Sequence, residues 1–359
     1  MSEQEPVREA VRAYAARQPT LLATTEAYVV LIRTLLDDAG IDYLSVTGRT
    51  KSVSSFSAKA NRTEGGRLLY PDPLEQITDQ VGVRVITYVH SDVAAVAELL
   101  AEELTVLDDR DLGEETARAG RFGYASRHLL VRVDQTGPDG ADGADGADGV
   151  EVGTREAAQP AGLSGERASV QVRTVLQHAW AEFEHDIRYK GNVPDDAAAD
   201  LDRRFTLAAG LIELADQEFA TIRARIQAAA PGSGVGGGSD AGSPTDQPAR
   251  QIVGQELATF LAGHYRDAGW SHSDHYDWIA GLLAQLGIDT VEDLAGLLAS
   301  VDADAVIRRM GYRYPAGAVR RLDDALLAVF GEQYVSLDGN SHRVPLLRAR
   351  QAKLTATDT

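Results

Sequence analysis

Four lysines stand against 31 arginines in this chain of 359 residues. Three of the four sit in short polar constellations: Lys51 in V-T-G-R-T-K-S at 46–52, Lys59 in K-A-N-R at 59–62, and Lys190 in E-H-D-I-R-Y-K-G at 184–191. A chain that uses arginine nearly everywhere else keeps lysine where a compact, mobile point charge can meet a phosphate. Arg49 and Lys51 are expected to follow a strand and enter a turn at Gly48, and Lys59 and Arg62 to follow within a few helical turns. Four cations this close repel one another unless an anion or a carboxylate neutralises them. Phosphate recognition satisfies that demand; a solvated basic helix is the plainer alternative.

Other residues add to the chemistry. Asp79 opens D-Q-V-G-V-R-V, and a carboxylate at a strand end suits magnesium, which takes one or two carboxylates and fills its remaining positions with water and phosphate oxygens. F-G-Y-A-S-R-H-L at 122–129 brings an aromatic, an arginine and a histidine to the lip of a strand. Tyr124 there has the ring to stack on a base. A strand over Ala168–Thr174 aims Ser169, Gln171 and Arg173 to one side, because side chains alternate along a strand. In the helix that follows, Leu176, Trp180, Phe183 and Ile187 form an apolar stripe that reads as core. His178, Glu182, His185 and Tyr189 lie nearly opposite. The spacing of His178, Glu182 and His185 also admits zinc, although H-E-x-x-H is missing. Lys190 closes this helix, where a cation suits the negative end of the dipole.

These residues need elements to position them. Residues 5–40 read as two helices broken at Pro19-Thr20, with Gly40 as the stop. Strands are expected over 41–47, 81–89, 129–133 and 168–174, and helices over 52–61, 91–104, 175–189 and 197–229. The order of elements predicts an α+β fold: a mixed β-sheet with flanking helices, followed by a small all-helical C-terminal domain. The expected domains are residues 1–230, with a disordered loop at 137–165, a flexible linker at 231–250, and a helical unit at 251–350. Within the loop, the Asp-Gly repeats at 138–149 lack EF-hand spacing. The last unit has helical periodicity near 252–267, 275–286, 290–299, 302–309 and 316–330. It also carries His264, His272 and His275 beside Trp270, Tyr276 and Trp278, a set that reads as helix packing with metal as the rival.

The bulk numbers exclude several classes. There is no cysteine, hence no disulfide framework or thiolate metal site. The N-terminus is polar and acidic, unlike a secretory signal, and no apolar run approaches the roughly 20 residues of a membrane span. A cytoplasmic protein without membrane partners is expected. The net charge of −19 argues against broad capture of nucleic acid, with tRNA as the one exception kept.

Taken in order, V-T-G-R-T-K-S, K-x-x-R, D-Q-V-G-V-R-V, G-Y-A-S-R-H and V-Q-V-R-T-V-L-Q-H-A-W-A-E-F-E-H-D-I-R-Y-K resemble the RelA/SpoT synthetase domain of the alarmone synthetases, over about residues 20–225. The resemblance implies a nucleotidyltransferase-like synthetase fold and a GTP pyrophosphokinase. Such an enzyme moves the β,γ-pyrophosphoryl group of ATP to the 3′-hydroxyl of GTP or GDP, giving (p)ppGpp in the stringent response. By position, Arg49, Lys51, Lys59 and Arg62 would hold ATP, and Asp79 would hold Mg2+. Tyr124 would stack on the acceptor guanine, and His128, Gln171, Arg173 and Lys190 would line the acceptor and phosphate pocket. Arg84 joins the substrate-binding set. The catalytic set is Asp79, Arg49, Lys51, His178 and Glu182. His185-Asp186 belongs to the synthetase helix, so no hydrolase is assigned.

The chain departs from the family pattern at Ser169, where the resemblance leads one to expect glutamate in E-I-Q-I-R-T. Glu166 is nearby but falls on the other face of the strand by parity; Glu182 is another substitute. Two alternatives stay open: a toxin-type relative that pyrophosphorylates tRNA or adenosine nucleotides, and a catalytically degenerate nucleotide-binding regulator. The C-terminal unit reads as a regulatory, partner-binding or homo-oligomerisation module.

Overall fold

The structure is a computed structural model that describes residues 4–118, 126–134, 163–190, 198–229, 251–312, 314 and 316–356. The described residues form two compact units: one runs to Leu35 and from Tyr43 to Glu218, the other comprises Leu36–Asp42 and the residues from Phe219 onward. The expected linker at 231–250 and the Asp-Gly tract at 138–149 lie outside the described residues. So does the loop at 137–165, apart from its last residues, where Ser164 bridges Val133.

In the first unit, helix α1 (Gln4–Ala39) leads to strand β1 (Ser45–Thr50) and helix α2 (Val53–Ala60). Two short strands, β2 (Thr63–Glu64) and β3 (Arg67–Leu68), pair with each other ahead of α3 (Pro73–Gln76). Next come β4 (Val81–Thr87), α4 (His90–Glu103), β5 (Thr105–Asp111) and α5 (Leu112–Arg118). Strands β6 (Arg127–Arg132) and β7 (Arg167–Thr174) precede α6 (Val175–Lys190) and α7 (Ala198–Ala229). The five-stranded sheet has the order β1-β4-β7-β6-β5. Strands β4 and β7 are parallel and the other pairs antiparallel, so the expected mixed sheet with flanking helices is present.

Register divides the sheet into two chemistries. Val46 pairs with Val85 and Gly48 with Val83; Val83 pairs in turn with Val170, and Val85 with Val172. This face is apolar and buried. Helix α1 covers it at β1, so closely that a Cβ on Gly48 would lie 2.6 Å from Thr25 Cγ2. Thr47, Arg84, Gln171, His128 and Arg110 form a polar row across all five strands on the opposite face.

Three expectations are corrected. First, α1 is one continuous helix that contains Pro19, not two helices broken there. Proline removes one backbone bond and bends a helix, but both flanking turns are tied down. Tyr14 and Tyr28 are fully buried and donate their hydroxyls at 2.6 Å to the carbonyls of Lys51 and Glu166. By length and composition α1 could cross a membrane, contrary to the sequence reading. Its Tyr14, Leu21, Tyr28, Leu31, Ile32 and Leu36 are instead buried in the protein. Second, β5 and α5 were not expected. T-V-L-D-D-R-D has no apolar alternation because β5 is an edge strand with four exposed positions in a row. Third, the stripe on α6 is core only in part. Trp180 is buried, packing against Phe183 and Phe205, while Phe183 and Ile187 are exposed.

The second unit is all helical: α8 (Gly254–His264), α9 (Ser273–Gln285), α10 (Val291–Ala299), α11 (Ala303–Met310), α12 (Ala318–Phe330), α13 (Glu332–Val335), a 3-10 turn (Asp338–Arg343) and α14 (Val344–Thr355). Thr290 and Asp302 cap α10 and α11 through side-chain oxygens. Leu257, Leu261, Ile279, Leu283, Leu294, Leu322, Leu326 and Leu347 fill its core. A charged cluster is buried with them. Arg350 Nη1 meets Asp323 Oδ2 at 2.8 Å and its Nη2 contacts Asp38; Arg320 bridges Asp38 and Asp324 at 3.0 and 2.7 Å. Arg343 and the Tyr334 hydroxyl also bond Asp323. Burial opposes charge on Asp323, but Arg343 and Arg350 outweigh it and hold the carboxyl well below the usual range.

Removing one partner of such a cluster strands the others uncompensated. Arg350→Ala is expected to cost about 3–5 kcal/mol in denaturant unfolding of the full chain, and a loss below about 1 kcal/mol would contradict the cluster's role.

Candidate active site

Lys51 is fixed before its side chain does anything. Its carbonyl accepts from Tyr14, and its N–H donates to the Gln80 carbonyl at 2.9 Å. Lys59 sits on α2, which Ser52 caps by accepting from the Ser55 N–H at 3.1 Å. Phe56 of the same helix stacks on Tyr14 with ring centres 4.0 Å apart. Asp79 is held just ahead of β4 because the Gln80 side chain donates to the Leu74 and Ile77 carbonyls at 2.6 and 3.0 Å. Three separate elements therefore deliver two ammonium groups to one carboxylate. Lys51 Nζ lies 2.7 Å from Asp79 Oδ2, and Lys59 Nζ lies 3.1 Å from Oδ1. Burial pushes the Asp79 carboxyl up, but the bonds and charges of the two lysines prevail and hold it below its ordinary value. Asp79 is anionic at neutral pH.

The pair opens into a cleft of about 950 Å³ between the polar face of the sheet and α6. Arg49, Lys51, Asp79, Arg84, Gln171, Arg173 and Glu182 all line it, together with Thr47, Gly82 and Ser169 from the strands and Glu184 and His185 from α6. Arg173 is almost fully buried and donates from Nη2 to Gln171 Oε1 at 2.6 Å. Arg84 Nη1 donates to Glu182 Oε1 at 2.8 Å. His178 stands one turn before Glu182, with Nδ1 3.8 Å from the same oxygen. Burial lowers the His178 pKa, and the Arg84 and Arg173 charges lower it further against the pull of Glu182. The imidazole is neutral at pH 7.

The other expected residues fall differently. Lys59 reaches the cleft through Asp79. Arg62 is exposed and is not among the lining residues, because the chain turns away after α2, its N–H closing onto the Lys59 carbonyl at 3.1 Å. His128 is next to Gln171 in the polar row, half-buried, and is likewise not among the lining residues. Tyr124 and the side chain of Lys190 lie outside the described residues. Glu166 pairs with Arg17 at 3.5 Å and lines a different, smaller pocket, as strand parity required. Glu184 was missed by sequence reasoning, although it is two residues beyond Glu182 on the same helix. Arg110, across from His128, was missed with its strand.

Among the described residues no group of three His, Asp or Glu side chains is placed to hold a metal. The histidines of the helical unit serve packing instead: His272 caps α9, His275 Nε2 meets Asp37 at 3.3 Å, and His264 stacks on Phe260.

Cations of this number around one carboxylate can grip phosphate oxygens, through charge-assisted hydrogen bonds, and a metal ion brought with them. The fold and cleft thus define a phosphate-handling protein. Comparison with known proteins narrows this. A family model described as a region found in RelA / SpoT proteins matches residues 48–193. GTP pyrophosphokinase YjbM of Bacillus subtilis is 30% identical over 210 residues, covering 55% of this chain and 81% of that protein. GTP pyrophosphokinase YwaC of the same organism is 26% identical over 184 residues, covering 50% and 72%. The crystal structure of small alarmone synthetase 1 from B. subtilis, bound to its product pppGpp, is 25% identical with a TM-score of 0.38, covering 62% of this chain and 95% of that one. The chain belongs to the RelA/SpoT family.

His128 supplies a test of the cleft's electrostatics. Burial, then the charges of Arg173 and Arg110, bring its pKa from 6.5 to about 4. Its contribution to stability is therefore complete above pH 6.5 and is lost as pH falls toward 4. Imidazole NMR should show a midpoint near 4; a midpoint at or above 6.5 would contradict this placement.

Proposed function

We propose that this cleft is a GTP pyrophosphokinase site. It transfers the β,γ-pyrophosphoryl group of ATP to the 3′-hydroxyl of GTP or GDP, giving (p)ppGpp and AMP, in the cytoplasm and in the service of the stringent response. The observation that carries the reading is the convergence of Lys51 and Lys59 on Asp79, in a nucleotide-sized cleft that Arg49 also lines. Two relatives bearing that enzyme name support it.

The chemistry needs positioning and charge more than covalent catalysis. The acceptor oxygen forms a bond to the β-phosphorus, the bond to the α-phosphate bridging oxygen breaks, and AMP leaves. Arg49 and Lys51 hold phosphate oxygens, Lys59 extends the cationic path through Asp79, and Arg84 faces the same nucleotide; Arg62, outside the cleft, takes no part. Gln171 and Arg173 serve the acceptor side, His128 stands beside Gln171 in the polar row without lining the cleft, and Tyr124 and Lys190 are given to that side by the family resemblance alone. Preorganised cations act strongest where charge builds on the transferring group.

Magnesium fits the residues present. One anionic carboxylate, with no group of three acidic or histidine ligands around it among the described residues, suits an ion that keeps most of its coordination for water and phosphate oxygens. Asp79 would hold it, and the ion would neutralise phosphate charge. The lysines that occupy the carboxylate would then turn to the phosphates.

One observation favours a second reading. The cleft side of β7 presents Ser169, Gln171 and Arg173, none of them acidic. A nucleotide-binding regulator without turnover would need no more than this.

Purified chain incubated with magnesium, ATP and GTP, GDP or tRNA separates the readings by nucleotide chromatography. A guanosine tetra- or pentaphosphate with matching AMP is expected, and Asp79→Asn should lower the rate by at least about 10²-fold. Labelled tRNA, no product despite bound nucleotide, or full turnover by the variant would contradict the assignment.

A further inference from the structure

Transfer to a hydroxyl releases a proton, and the cleft must offer it a destination. The lining residues include three carboxylates: Asp79, Glu182 and Glu184. Asp79 is the poorest acceptor, since an ammonium group sits on each of its oxygens. Glu184 has an interaction of its own. Glu182 is different. Arg84 holds only its Oε1, at 2.8 Å, and its other oxygen has no bonded partner among the described residues. Its side chain is half exposed and lines the cleft.

Behind Glu182 lies a receptor for the same proton. His178 Nδ1 is buried and has no hydrogen-bond partner among the described residues. The nearest acidic oxygen is Glu182 Oε1, one helical turn away at 3.8 Å. A neutral imidazole has one nitrogen that accepts, and an ionised carboxylate cannot donate to it. Once protonated, Glu182 can. A buried acceptor left without a donor is costly, and a protonated Glu182 supplies that donor.

We propose that Glu182 is the general base of the transfer, backed by His178. This rests on the pyrophosphokinase reading and adds the group that removes the proton. The acceptor O–H bond breaks as the O–P bond forms, the proton passes to the open oxygen of Glu182, and a turn of the carboxyl group brings the new O–H to His178 Nδ1 while the other oxygen takes over the bond from Arg84. Arg84 keeps the carboxylate aimed into the cleft and faces it from β4. The other titratable or charged groups around the pair are Arg173 from β7 and Glu184 and His185 on α6 itself. The strand residue Ser169 has no part in the proton's path.

The test is steady-state transfer by the full chain with Glu182→Gln, which keeps a hydrogen bond to Arg84 and removes the base. kcat should fall about 10²–10³-fold while KM for both nucleotides moves less than about threefold. Adding Ser169→Glu to that variant should restore part of kcat, by supplying a carboxylate from the facing strand. A rise in KM with kcat unchanged would reduce Glu182 to holding Arg84 and overturn the proposal, as would a wild-type rate. A second readout needs no turnover. Glu182→Gln should lower the His178 imidazole midpoint further, because Glu182 is the group that raises it; an unmoved midpoint would dissolve the pair. Absence of transfer by the wild-type chain overturns the functional reading and this proposal together, whereas transfer indifferent to Glu182→Gln overturns this proposal alone.

Discussion

Lys51 and Lys59 come from different elements, and both end on the two oxygens of Asp79. That meeting requires Tyr14 on α1 to hold the Lys51 backbone, Ser52 to start α2 at the right residue, and Gln80 to pin the chain ahead of β4. Two ammonium groups cannot sit this close without an anion between them. Asp79 keeps them apart and poised, and a polyphosphate with its own metal ion can take over its place between them.

The sheet explains why the other cations join. Alternation along β1, β4 and β7 sends valines to the face that α1 covers, and sends Thr47, Arg49, Arg84, Gln171 and Arg173 to the other. This was legible in the sequence: V-G-V-R-V and V-Q-V-R-T announce both the strands and their two faces. The face of α6 carrying His178, Glu182 and His185 was legible too, from helical spacing. What alternation cannot show is which polar face looks onto another. Parity set Glu166 aside, but only three-dimensional pairing brings Glu182 of α6 to Arg84 of β4, 98 residues apart in the chain.

The misses share a physical cause. Strand β5 belongs to the sheet through β6 alone, so its side chains need not alternate, and charged residues there guard an open edge. The continuity of α1 through Pro19 depends on tyrosines bonding to distant carbonyls, which no local rule contains. In the helical unit the apolar periodicity was visible in five segments. The buried cluster of Arg320, Arg343 and Arg350 with Asp38, Asp323 and Asp324 was not, since charged residues in a helix ordinarily read as solvated. Neutralisation within the cluster is what makes its burial tolerable.

The central claim is that Arg49 and Lys51 grip one polyphosphate beside Asp79. Calorimetric binding of a non-hydrolysable ATP analogue with magnesium tests it without turnover. Arg49→Ala and Lys51→Ala should each weaken the dissociation constant at least about tenfold, or about 1.4 kcal/mol, with the fold intact by circular dichroism. Affinity unchanged by both substitutions would show that the nucleotide binds elsewhere.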